Sequence, residues 1–172
     1  MNDSPGARLA HADIRSVLPH SGAMCLLESV QAWDAHSITC QSLGHCSPEN
    51  PLRGSDGLSS ANGIEYAAQA MALHAALVGG ARPDQRGVIS RPDSPPHGVL
   101  ASVRAVQLHH PRLDVFEDAL TICASLLSGD PRTAIYEFSI LNRGICLVQG
   151  RASVLFDARI SMNRNDSPST GT

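Results

Sequence analysis

Read for the spacing of its apolar positions, the chain separates into one long helical stretch and a series of strand-like runs. Residues 11–18 (HADIRSVL) have room for two helical turns, and Pro19 stops them because proline disfavours helix in the residue before it. MCLLESVQAW (24–33) and HSITCQSL (36–43) carry apolar and β-branched cores on either side of the turn-like Asp34-Ala35, which predicts a β-hairpin. The next stretch, 44–60 (GHCSPENPLRGSDGLSS), holds two prolines and three glycines and is expected to be an irregular loop. Residues 62–78 (NGIEYAAQAMALHAALV) then read as the clearest helix, closed by Gly79-Gly80. Ile64, Ala67, Ala68, Met71, Ala75 and Val78 form one stripe at spacings of 3 and 4, and alanines elsewhere leave almost the whole circumference small and apolar. Residues 79–98 are dense in proline and glycine and predict a long connection able to act as a lid. From there the pattern is strand-like: VLASVRAVQLH (99–109), ALTICASLLS (119–128), AIYEFSIL (134–141) and ICLVQGRASVLF (145–156). The breaks are Pro111, Gly129-Asp130-Pro131 and Asn142-Arg143-Gly144, the last with hairpin character. The order predicts an α+β domain with an antiparallel sheet of about six strands wrapped around one helix, spanning 11–158 between flexible tails at 1–10 and 159–172.

Composition narrows the function. A chain of 172 residues, 42% hydrophobic and 17% charged, is one ordinary globular domain. One Trp, two Tyr and three Phe offer few stacking platforms for bases, and a net charge of -3 gives no field to hold a polyphosphate backbone. All 13 basic residues are arginine, which excludes lysine Schiff-base chemistry. Five cysteines without a C-x-x-C pair, and no apolar signal core in the first ten residues, point to a reducing cytoplasmic setting. No run reaches the length a membrane helix needs.

Nucleotide-loop, zinc-protease and serine-hydrolase motifs are missing, which leaves individual acids, bases and thiols. His45, in the loop before the long helix, is a candidate base, and Glu65, in the first turn of that helix, a candidate acid. Glu65 has a structural alternative: with Asn62 as N-cap it occupies N3, the position of a capping-box carboxylate. Gln69, one turn on, shares its face, and either bonds loop backbone or lines a polar notch with it. Gly63 lets a ligand approach the N–H groups at the helix start, or is simply a permissive first-turn residue. Cys46 adjoins His45, but neighbouring side chains usually point apart, and His109-His110 has the same defect as a metal pair. His20 reads as structural and His74 as a packed helix residue.

Taken in order, LPHSGAMCLLESV (18–30), the loop HCSPENPLR (45–53) and GIEYAAQA (63–70) resemble the hotdog-fold 3-hydroxyacyl-carrier-protein dehydratases, in particular the divergent branch linked to aryl polyene pigment clusters. The helix motif Glu-x-x-x-Gln is matched by Glu65 and Gln69, and the likeness spans about 13–156. It implies a curved antiparallel sheet around the helix and a dimer in which the loop histidine of one subunit faces the helix acid of the other. His45 would take the C2 proton of a 3-hydroxyacyl thioester and Glu65 would protonate or orient the departing C3 hydroxyl. The helix start at Gly63 would hold the thioester oxygen, and Gln69 would position Glu65. No cofactor is implied, because the substrate itself carries phosphopantetheine. An acidic carrier protein would dock on arginines such as Arg53, Arg82, Arg86, Arg91 and Arg104. The common dehydratases follow their histidine with a Phe-Pro-Gly type loop, whereas this chain has Cys46-Ser47-Pro48-Glu49-Asn50-Pro51 and a longer His-to-Glu spacing. Two alternatives stay open: a hotdog acyl thioesterase using Glu65, and a non-catalytic subunit of a heterodimeric dehydratase.

Overall fold

The computed structural model describes residues 8–18, 22–80, 82–83, 89–90, 97–130 and 132–157. The first elements are β1 (Leu9–Ala10), α1 (His11–Val17), β2 (Ser29–Trp33) and β3 (Ser37–Ser42). The long helix α2 (Gly63–Val78) follows, then the short strands β4 (Arg82–Pro83) and β5 (Ile89–Ser90). Four long strands complete the chain: β6 (His97–Leu108), β7 (Leu120–Gly129), β8 (Thr133–Asn142) and β9 (Ile145–Asp157). A seven-stranded antiparallel sheet runs β1-β2-β3-β7-β8-β9-β6, and β4 pairs with β5 in a separate two-stranded sheet.

The alternation expected of half-buried strands is present. On β8, Ala134, Tyr136, Phe138 and Ile140 are buried while Ile135 and Glu137 are exposed. Ile38 and Cys40 of β3, Leu120, Ile122 and Ala124 of β7, and Val148, Ala152 and Val154 of β9 complete the buried face. The Asn142-Arg143-Gly144 break is the predicted hairpin: Arg143 (φ 47°) and Gly144 (φ 81°) both have the positive φ that a two-residue type I′ turn requires. Asp34 makes the other hairpin turn, its Oδ1 accepting the N–H groups of His36 and Ser37 at 2.7 Å each. Leu18 is extended (ψ 144°), as a residue before proline should be.

Several expectations need correction. Leu9–Ala10, read as part of a tail, pairs with Ser29–Val30, and Leu9 is buried. The 79–98 connection is not wholly irregular, since Arg82 pairs with Ser90, Pro83 with Ile89, and β6 begins at His97. The corner at Pro19-His20, Arg86, Arg91 and most of the connection read as a lid lie outside the described residues, as does the Arg82 side chain. On α2 the buried face is Gly63, Tyr66, Ala67, Gln69, Ala70, Met71, Leu73, His74 and Leu77, whereas Val78 of the predicted stripe is half exposed. The helix is rotated because Tyr66, Gln69 and His74, which an apolar count skips, turn inward to hydrogen-bond partners. His74 shows how: its ring lies 2.9 Å from the Tyr136 hydroxyl and 3.0 Å from the Asp34 carbonyl.

Asn62 does not cap α2. It has helical φ and ψ of −66° and −14°, and its Nδ2 donates instead to the Leu52 carbonyl at 2.9 Å. A 3-10 turn at Ser60–Asn62 leads into the helix, with Ser59 Oγ accepting from the Ala61 N–H at 3.3 Å. Gly63 closes this turn by donating to the Ser60 and Ala61 carbonyls. A Cβ on Gly63 would stand 2.7 Å from Ile140 Cδ1 and 3.2 Å from Val148 Cγ2, so glycine is what lets the helix start press onto the sheet.

The 44–60 loop is stitched to the 109–118 segment. Asp114, with a side chain 1% exposed, accepts from Arg112 through Nε (2.9 Å) and Nη2 (2.7 Å). Arg53 Nη1 lies 2.8 Å from the same carboxylate as an ion pair without a well-aligned hydrogen bond. Ser60 N–H donates to the Pro111 carbonyl at 3.1 Å and Leu113 N–H to the Leu58 carbonyl at 2.9 Å. Gly57, at φ +103°, sits where any Cβ would overlap the Arg112 guanidinium. Hydrogen bonds from Arg112 above all hold the Asp114 carboxyl well down, at about 2, from its ordinary 3.8.

Gly63→Ala should cost about 1–3 kcal/mol through overpacking and lower Tm by several degrees in a thermal melt. Because the Asp114 pKa is depressed in the folded state, its contribution is complete above the unfolded value and is lost as pH falls from about 4 toward 2. Asp114→Asn should therefore lose about 1–2 kcal/mol at pH 7, allowing for its partly solvated partners, and should flatten that acid-side loss in denaturant titrations.

Candidate functional site

His45 stands in a 3-10 turn, Gly44–Cys46, just after β3, and is buried at 1% exposure. One ring nitrogen, Nε2, lies 2.6 Å from the Phe116 carbonyl oxygen. A carbonyl can only accept, so Nε2 carries the hydrogen and the neutral ring keeps its lone pair on Nδ1. Nδ1 is buried and has no hydrogen-bond partner among the described residues. Burial is the largest influence on the ring and pushes its pKa below the ordinary imidazole value, against the Phe116 carbonyl and the Asp114 charge, which act upward. The result is a neutral imidazole of fixed tautomer, in the form a general base needs.

Cys46 does not point away from His45 as adjacency suggested. In the tight turn its Sγ reaches the same Phe116 carbonyl at 3.2 Å. Burial raises the thiol pKa, so it stays protonated and weakly nucleophilic. His110 packs edge-on against the Phe116 ring, with centroids 4.9 Å apart.

Glu65 and Gln69 meet on α2, one turn apart, where Gln69 Nε2 donates to Glu65 Oε1 at 3.0 Å. Gln69 also reaches the segment leading into β2, which is a 3-10 turn to Met24 and then irregular rather than the strand predicted from Met24, donating to the Met24 carbonyl at 2.8 Å and accepting from the Leu26 N–H at 2.9 Å. Of the two alternatives foreseen for Gln69, bonding of loop backbone is the one seen, and the same amide also holds the Glu65 carboxylate. Being fully buried, it has every reason to keep all three bonds.

A cleft of about 210 Å³ opens between the histidine loop, the 23–28 segment and α2, lined among others by Cys25, Leu26, Gly44, Asn50 and Tyr66. Tyr66 and Asn50 were not assigned a role by the sequence, yet Asn50 Nδ2 donates to the Tyr66 hydroxyl at 2.8 Å and to the Gly44 carbonyl at 2.9 Å. The Asn-Pro turn in which Asn50 sits was the available signal. Asp114 and the Phe116 carbonyl were also missed; a backbone carbonyl has no sequence signature. A larger groove of about 610 Å³ on the outer face of the sheet is lined by Gln107, Cys123, Ser125, Glu137 and Arg151, and neither this groove nor the cleft is lined by His45, Gly63, Glu65 or Gln69, although Gly44 and Tyr66, their chain neighbours, line the cleft. Of the candidate docking arginines, Arg53 is engaged by Asp114, while Arg104 is exposed on β6 opposite Arg151 of β9. Among the described residues no group of three or more His, Cys, Asp or Glu side chains is placed to hold a metal ion, and no helix is long and apolar enough to cross a membrane.

No curated protein sequence matches the chain significantly. Among solved structures, the dehydratase heterocomplex ApeI:P from Xenorhabdus doucetiae is similar at a TM-score of 0.70 and 26% identity, over 86% of this chain and 92% of that one. A hypothetical thioesterase with coenzyme A from Streptococcus pneumoniae (TM-score 0.51, 13% identity, 74% and 84% coverage) shares the fold. So does an HP0420 homologue from Helicobacter felis (TM-score 0.53, 12% identity, 84% and 88% coverage). The fold is the hotdog fold. A family model described as ApeP-like, ApeP dehydratase, matches residues 12–163, which takes in the histidine turn, the Glu-x-x-x-Gln helix and every long strand: the chain belongs to the ApeP-like dehydratase family.

Proposed function

We propose that this protein is a subunit of a dehydratase that removes water from 3-hydroxyacyl thioesters carried on acyl carrier protein, in the biosynthesis of a polyene, and that it works paired with a second hotdog subunit. Its dehydratase family supports the reaction class, and the heterocomplex formed by the similar Xenorhabdus protein supports the pairing. The observation that carries the reading is His45: a buried neutral imidazole whose Nε2–H is spent on the Phe116 carbonyl, leaving the Nδ1 lone pair as base. In the proposed reaction Nδ1 takes the C2 proton of the substrate as the C2–C3 double bond forms. Glu65, held by Gln69, gives a proton to the C3 hydroxyl, which leaves as water. The product is the trans-2-enoyl thioester, and the proton gained by His45 restores Glu65 through solvent. Arg104, exposed on β6, is the remaining described candidate for carrier-protein contact.

A second reading has its own support. His45 is 1% exposed in the isolated chain, so a substrate reaches Nδ1 only if a partner rearranges or completes the cleft. A subunit whose histidine only supports the loop would look the same.

Mass spectrometry of a 3-hydroxyacyl carrier protein separates the two. Loss of one water should occur with this chain mixed with an ApeI-type subunit. His45→Ala or Glu65→Gln in this chain should reduce the rate by at least about a hundredfold. Unchanged turnover by the mixture carrying His45→Ala would assign catalysis to the partner. Release of free acid and thiol would instead indicate a thioesterase. The lowered His45 pKa places the acid limb of kcat/KM below the ordinary imidazole value of 6.5, so a pH–rate profile should show the loss of the base only on acidification below that value.

A further inference from the structure

Asn50 is 8% exposed, and each polar atom of its side chain is used. Its Oδ1 accepts the Leu52 N–H at 3.0 Å, closing the turn in which it lies. Its Nδ2 donates to the Gly44 carbonyl at 2.9 Å and to the Tyr66 hydroxyl at 2.8 Å. Its backbone is engaged as well, donating to the Ser47 carbonyl at 3.2 Å and accepting from Arg53 N–H at 3.0 Å. Gly44 immediately precedes His45, and Tyr66 immediately follows Glu65. One amide therefore ties the peptide before the candidate base to the residue after the candidate acid.

We propose that Asn50 is a positioning residue for the His45 turn: through Gly44 and Tyr66 it fixes where the turn stands against the first turns of α2 in the same chain. The inference rests on the reading of His45 and Glu65 given above, and adds a residue to it. The geometry needs an amide. Aspartate would set an acceptor against the Gly44 carbonyl oxygen and lose both donated bonds. Alanine would take from the Gly44 carbonyl one of its two donors, the Ser47 N–H at 3.2 Å remaining, and would leave the buried Tyr66 hydroxyl without the Asn50 amide. The Phe116 carbonyl holds only the far end of the imidazole, at Nε2, so the ring keeps one tether while its backbone shifts. The other groups bearing on the ring are the Asp114 carboxylate and the Cys46 thiol at the shared carbonyl, whose hydrogen bonds and ion pairs among the described residues go elsewhere than Asn50.

The test is NMR titration of histidine-labelled full-length protein, wild type beside Asn50→Ala and the nearly isosteric Tyr66→Phe, with a dehydration assay of the mixed complex. In Asn50→Ala the His45 midpoint should move up toward the ordinary imidazole value as water enters the loosened turn. Tyr66→Phe should move it in the same direction by less. His74, held by Tyr136 and the Asp34 carbonyl elsewhere on α2, is the internal control and should not move. Where the complex turns over, Asn50→Ala should lower kcat about tenfold with KM changed less than about twofold. An unmoved His45 midpoint in both variants overturns the proposal, as does equal movement of His45 and His74, which would mean general loosening. The titration needs no activity, so failure of the dehydratase reading and failure of this one give different results.

Discussion

The position of the histidine turn depends on a carboxylate withdrawn from water. Asp114 is almost inaccessible, and an ionised group so placed is costly unless its oxygens are met by donors. Two arginines and the Leu58 N–H meet them, and these groups come from both of the irregular segments flanking the helix start. Once Asp114 is satisfied, the 44–60 loop has little freedom to move relative to 109–118. The Phe116 carbonyl then lies where the His45 ring can reach it. A long loop without regular structure thereby presents its side chains with the definition normally provided by strands and helices.

The central helix uses a different logic. Alanine, methionine and leucine fill most of its inward face, but the residues that fix its rotation are Tyr66, Gln69 and His74, each hydrogen-bonded on the inside. Apolar packing alone tolerates sliding and rotation, because alanine against a sheet makes similar contacts in several settings. A buried amide with three bonds does not, since each lost bond leaves a polar group unsatisfied. Gly63 adds the steric half of the same constraint at the helix start.

Much of this architecture is legible in the sequence, for identifiable reasons. The four long strands are bounded by Pro111, by Gly129-Asp130-Pro131 and by Asn142-Arg143-Gly144, and alternation of period two within them marks the buried face. The helix announces itself through composition. Its rotation does not, because polar residues that turn inward are invisible to a count of apolar ones. Leu9–Ala10 is too short to give a period. His45, Glu65 and Gln69 are picked out by their order along the chain and a resemblance, while their surroundings depend on contacts 45 to 71 residues distant that no local pattern encodes. The Gln69 bridge to the Met24 carbonyl and the His45 bridge to the Phe116 carbonyl both end on backbone oxygens, which every residue possesses.

The strand order has a consequence for how the chain comes into being. β6 is the first long strand after the helix, yet its neighbour in the sheet is β9, the last one. On a ribosome β6 emerges well before its partner, with both edges open while β7 and β8 are still being made. Long unpaired strands of this kind invite pairing with other chains. Two irregularities interrupt the β6–β9 register, one between Leu100 and Ser102 and one between Arg104 and Gln107, the second around Ala105 at φ 50°. Bends there make β6 a poor template for a straight foreign strand, and Arg104 adds charge to it. The same irregularities that shape the finished edge of the sheet therefore guard the nascent chain during the interval before β9 arrives.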